Sequence, residues 1–137
     1  MFTRIQWLLL IVAALSATSV AQSEPILDSA SLPKYPPIAR QARIEGIVRL
    51  AFTLEANATA PTGVQVISGH PILSRAALEN LKTWRFINYY SVERKYETTF
   101  KYRLSQSGKL TVSFQSFSNV EIIADPPSET PTNSTNR

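Results

Sequence analysis

The stretch Ile47-Val48-Arg49-Leu50-Ala51-Phe52-Thr53-Leu54-Glu55 decides the fold class. Val48, Leu50, Phe52 and Leu54 alternate with Arg49, Ala51, Thr53 and Glu55, the period of two of a half-buried strand. Residues 56–62 form a polar connector and residues 63–68 read as a second strand, so the pair predicts an antiparallel hairpin with a loose loop. Upstream, Tyr35-Pro36-Pro37 opens a short helix reaching about Arg43, because proline is tolerated in a first helical turn. Gly46 is expected to end it, since glycine accepts the left-handed conformation just past a helix. Downstream of Gly69-His70-Pro71, the apolar residues Leu73, Ala77, Leu81 and Trp84 recur at spacings of 4, 4 and 3, one face of a helix. Residues 97–104 alternate again, with Phe100, Tyr102 and Leu104 on one face and Glu97, Thr99, Lys101 and Arg103 on the other. Residues 110–117 and 120–124 read as two more strands joined by Ser118-Asn119. The order predicts an α+β fold: a small antiparallel β-sheet with two helices on one face (α-β-β-α-β), plus a C-terminal β extension over residues 105–124.

Both ends read differently from this middle. Residues 1–21 have the marks of a secretory signal peptide: Arg4, an apolar run over residues 5–15 broken by Gln6, then Ser19-Val20-Ala21 before Gln22. A membrane span needs about 20 apolar residues, more than this run supplies. Retention of the segment as an inner-membrane anchor is the alternative, and membrane contact is expected in that case alone. Residues 22–34 form a short leader with Pro25 and Pro33. Residues 125–137 contain Pro126, Pro127 and Pro131 among Ser, Thr and Asn and no aliphatic residue, so a disordered tail is expected.

Composition narrows the chemistry. The 137 residues carry 14 Lys+Arg against 10 Asp+Glu, too mild an excess to imply a nucleic-acid partner. There is no cysteine, hence no disulfide, zinc–thiolate site or thiol nucleophile. The acidic residues are scattered singly, and no phosphate-loop motif accompanies Gly63 or Gly69. No catalytic, cofactor-binding or metal-binding residue is therefore assigned. A hydrolytic enzyme would rest on His70 alone, which lacks a nearby nucleophile or carboxylate and reads better as a turn or cap residue. Trp84 continues the apolar stripe of its helix and reads as core. Basic residues interleave with aromatics over residues 85–103, a pattern able to bind single-stranded nucleic acid. Export opposes that reading, and a solvated cationic face explains the same residues.

Residues 35–104 resemble the C-terminal domain of TonB, the periplasmic part of a bacterial energy transducer. The resemblance rests on Tyr35-Pro36 before a short helix, and on Ala42-Arg43-Ile44-Glu45-Gly46 before an alternating strand. It continues through Val64-Gln65-Val66-Ile67-Ser68-Gly69, a helix ending in Trp84-Arg85-Phe86, and the aromatic strand Thr99-Phe100-Lys101-Tyr102. It implies a three-stranded sheet under two helices, and recognition of an outer-membrane receptor segment by strand addition at a sheet edge. The candidate edge is the last strand of that unit, Thr98, Thr99, Phe100, Lys101, Tyr102 and Arg103. The expected partner is a segment of an envelope or outer-membrane protein, with a homodimer through sheet edges as an open alternative. Three departures stand out: the long connector 56–62, Ile87-Asn88-Tyr89-Tyr90 after Phe86, and a leader of 13 residues in place of a long Pro-rich spacer. Fully extended, that leader reaches roughly 45 Å, short of a periplasmic crossing. The C-terminal extension is expected to pair with the edge or to pack across the sheet.

Overall fold

The computed structural model describes residues 24–106 and 109–128. Signal-peptide features in residues 1–21, and residues 129–137 of the tail, lie outside the described residues.

The alternating stretch forms strand β2 (Gly46–Leu54), with Val48, Leu50, Phe52 and Leu54 buried and Arg49 exposed. In chain order the other elements are β1 (Ile26–Ser29), α1 (Pro37–Gln41), β3 (Thr62–Ser68), α2 (Pro71–Leu81), β4 (Arg85–Ile87), β5 (Arg94–Leu104), β6 (Thr111–Ser116) and β7 (Asn119–Ala124). The expected α+β class and both helices are present. Strand β5 pairs antiparallel with the whole of β2, from Gly46 opposite Tyr102 to Leu54 opposite Arg94.

The extension changes the sheet. Its order is β3-β2-β5-β7-β6, and β7 runs parallel to β5, so the sheet is mixed rather than purely antiparallel. After β5 the chain passes over one strand position, lays down β6, and returns as β7 into the gap. Polarity explains the choice. Strand β7 alternates Val120, Ile122 and Ala124, all buried, with Asn119 and Glu121, whereas β6 exposes Thr111, Ser113 and Gln115. The more apolar strand takes the interior position and the more polar one the rim.

The helices cover one face. Leu73, Ala77 and Leu81 of α2 are buried, and the helix packs against β2 and β3. Trp84 follows α2 as core, and its indole Nε1 donates to Asn80 Oδ1 at 2.9 Å. Helix α1 ends at Gln41, earlier than expected. The left-handed residue beyond it is Arg43 (φ 53°), not Gly46, which instead opens β2. Ile44 N–H closes the turn on Ala39 O at 2.8 Å, which holds a non-glycine residue in that conformation.

The leader also differs from a free tether. Its β1 pairs antiparallel with β4, matching Leu27 with Phe86. Asn80 Nδ2 donates to Ser31 O at 2.7 Å, and Ser31 Oγ donates to Thr83 Oγ1 at 2.6 Å. From Glu24 onward the leader is thus part of the fold. Two of the departures noted above meet as well: Asn88 Nδ2 donates to Glu55 O and Ala58 O, pinning the long β2–β3 connector.

Candidate interaction edges

Thr98–Arg103, the candidate edge, lies in the middle of the sheet. Thr98 is buried and its Oγ1 donates to Phe117 O at 2.7 Å, while Thr99 N–H donates to Ser118 O at 2.9 Å. Phe100 and Tyr102 are buried, and every residue from Thr99 to Leu104 has a β7 partner. Lys101 and Arg103 keep their side chains in solvent, and Arg103 pairs with Glu121 at 3.2 Å. Strand β5 is therefore an interior strand, because the extension supplies the apolar alternation needed to fill the position beside it. Of the two arrangements expected for the extension, edge pairing is the one observed.

This cover is structural. Phe117, at the β6–β7 turn, is 7% exposed and meets the rings of Phe52, Phe86 and Tyr96 at centroid distances of 5.7–6.4 Å. Fully burying a Val, Ile or Phe side chain stabilises by about 1.5–3 kcal/mol. Removing β7 would forfeit that for Phe117, Val120 and Ile122 together, so a competitor for β5 starts at a disadvantage of several such contributions.

The open edges of the five-stranded sheet are β3 and β6. Both are free of charged residues. They differ in regularity. Strand β3 carries register shifts opposite Arg49/Leu50 and Ala51/Thr53 and contains Gly63 at φ 56°, and irregularity of this kind blunts an edge. Strand β6 stays in register with β7 from Thr111 to Phe114 and shifts only beside its turn. Sequence reasoning read β6 as a strand but missed its rim position; the signal was its polar row Thr111, Ser113 and Gln115 next to an apolar β7.

A cavity of about 450 Å³ opens where β6 begins, lined among others by Lys34, Tyr35, Arg40, Leu110 and Ala124. Arg40 Nε donates to Asp125 O at 3.0 Å across it. Tyr35 is buried on its wall and donates its hydroxyl to Ile44 O at 2.6 Å. Burial, helped by the Glu45 carboxylate and opposed by the Arg40 guanidinium, pushes that phenol up to about 12. Burial likewise raises Tyr102, whose ring meets Tyr35 edge-on at 5.3 Å.

The remaining candidates resolve locally. His70 is the N-cap of α2, its Nδ1 accepting from Ile72 N–H at 3.3 Å, so it serves as a cap. No group of three His, Asp or Glu suited to a metal occurs among the described residues. Among the interleaved aromatics, Phe100 and Tyr102 are core, Tyr96 joins the ring cluster around Phe52, and Arg94 stacks over Tyr90 at 3.8 Å. Tyr89, at 81% exposure, is the one ring of this set left largely open.

Comparison with known proteins places this arrangement. No curated protein matches the chain. Among solved structures, the solution structure of the Pseudomonas aeruginosa TonB C-terminal domain is similar at 27% identity over 60% of this chain and 88% of that one, with a TM-score of 0.49. The family model for the Gram-negative bacterial TonB protein C-terminal matches residues 31–104, stopping where β5 ends and leaving β6 and β7 outside. With more than half of its length matched, the chain belongs to the TonB C-terminal domain family of periplasmic protein-interaction modules.

Proposed function

We propose that this protein is a non-enzymatic periplasmic module that binds an extended segment of an envelope or outer-membrane transport protein by strand addition. The observation that carries the reading is a sheet whose rims, β3 and β6, are uncharged strands. Solvent-facing strands ordinarily carry lysine, proline or inward charges that prevent pairing, and an undefended rim offers backbone N–H and C=O groups to an incoming chain. Backbone bonds supply affinity in such a mode, and alternate side chains supply specificity. Family membership supports the same partner class, and His70, the residue on which a hydrolytic reading would rest, caps α2. The docked leader agrees with local binding. Its β1 pairs with β4, so the leader from Ile26 to Ser29 is held against the domain.

The test is titration of the protein with synthetic peptides spanning the periplasm-facing ends of outer-membrane transporters from the same organism, followed by backbone amide NMR. Strand addition is expected to shift a contiguous run of amides along one sheet strand. Absence of any such run at millimolar peptide would overturn the reading.

A further inference from the structure

We propose that the cavity between α1 and the start of β6 binds a small amphipathic anion, a carboxylate carried on an aliphatic chain. The site is separate from strand addition, and its failure would leave that reading untouched.

Its walls come from two parts of the chain. Lys34, Tyr35 and Arg40 lie within the family match, whereas Leu110, Ala124 and Asp125 belong to the extension. The cavity is therefore made by the extension packing against α1. Its volume of about 450 Å³ falls within the roughly 300–1,000 Å³ of small-molecule sites. The Tyr35 hydroxyl is bonded to Ile44 O and its ring meets Tyr102, so it offers the cavity a fixed aromatic wall. Leu110 is 54% exposed, an aliphatic side chain that an acyl chain lying in the cavity would cover. A smaller hollow of about 190 Å³ shares Pro37 and Arg40 and is lined by Pro127, which carries the apolar surface past the guanidinium.

Charge selects the head group. Two of the lining residues are cations and one, Asp125, is an acid. Arg40 is held through Nε by the main-chain oxygen of Asp125 at 3.0 Å rather than by its carboxylate. Neither Lys34 nor Arg40 forms an ion pair among the described residues. Glu45, the other carboxylate acting on Tyr35, accepts from Leu104 N–H. Two unpaired cations beside an apolar hollow suit a ligand with one anionic end, because a carboxylate leaving water needs charged donors to offset its desolvation. A cationic or uncharged head would leave both unanswered.

Calorimetric titration of the full chain with octanoate, octanol, octylammonium and acetate tests this. Octanoate is expected to bind at one site, with octanol, octylammonium and acetate each weaker by about tenfold or more. Lys34→Gln and Arg40→Gln are expected to weaken octanoate about tenfold and to leave octanol unchanged. Lys34 has no partner in the fold, so its variant should keep the native urea midpoint, and Arg40→Lys should retain part of the octanoate affinity. Octanol binding as tightly as octanoate would overturn the assignment, as would octanoate binding indifferent to Lys34→Gln. Acetate matching octanoate would remove the apolar half of the site and overturn it too. Absence of saturable octanoate binding at millimolar concentration would contradict it outright. Sedimentation with phosphatidylglycerol vesicles in that case would assign the cations to a membrane surface instead of the cavity.

Discussion

Strands β3 and β7 occupy equivalent positions, each flanking the antiparallel pair β2–β5, yet they contribute in opposite ways. Strand β7 buries Val120, Ile122 and Ala124, whereas β3 buries none of its seven residues and leaves Val66 45% exposed. What matches the family ends at β5, so the flank within the family region is the thin one. The flank added by this chain's extension carries core. Conformity to a family model and contribution to the core are thus separate properties. Here the added strand completes the sheet and moves the open rim one strand pair outward.

The comparison is broken most strongly by truncating the two flanks. Ile122→Ala removes a fully buried side chain and is expected to cost about 2–5 kcal/mol, because the void persists in a packed core. Urea unfolding of the full chain measures it. Equal losses for Ile122→Ala and Val66→Ala would erase the distinction between the strands.

Next in size is the place where β3 is held by backbone rather than side chains. Gly69, at φ 135°, ends β3, and a Cβ there would lie 2.9 Å from Val48 Cγ2 and from Ser74 Oγ. Gly69→Ala is expected to cost about 1–3 kcal/mol through strain and crowding, read by thermal unfolding. Val66→Ala, by contrast, removes a side chain that water already reaches, and a loss under about 1 kcal/mol is expected.

The smallest expected effect is a pH slope on the β7 side. Tyr35 is raised to about 12 in the fold, against an ordinary phenol near 10. Below pH 10 the phenol is protonated in both states and its contribution is complete. Between about pH 10 and 12 the unfolded chain ionises first and binds fewer protons than the fold, so stability falls as pH rises. Urea midpoints for the native protein and Tyr35→Phe at pH 9 and 11 check this. The native protein is expected to lose more over that interval, and parallel declines would contradict the assignment to Tyr35.

How far these features were legible in the sequence follows from their range. Period-two alternation in Val48–Leu54 and the 4, 4, 3 stripe of α2 are local, and both were readable. Trp84 as core and His70 as a cap followed from the same local patterns. The position of β7 was not, because parallel pairing joins Thr99 to Asn119 across an intervening strand that no short-range pattern encodes. For the same reason Thr98–Arg103 looked like a rim: alternation shows which side chains turn inward, not what lies beside the backbone. The stop of α1 misled for a chemical reason. Glycine was the natural candidate, but the hydrogen bond from Ile44 to Ala39 lets Arg43 take the left-handed position. The leader's pairing with β4 likewise joins segments about 60 residues apart and left no signal beyond its two prolines.

The most direct measurement is residue-resolved amide hydrogen exchange of the full chain, alone and with a saturating peptide from the periplasm-facing end of an outer-membrane transporter. The account expects β5 and β7 amides to exchange together at the slowest rates in both conditions, and the solvent-directed amides of the rims β3 and β6 to exchange fast alone, those of one rim slowing with peptide. Peptide-induced fast exchange in β7 together with protection of β5 would contradict it, showing β7 to be a displaceable cover rather than a strand of the core.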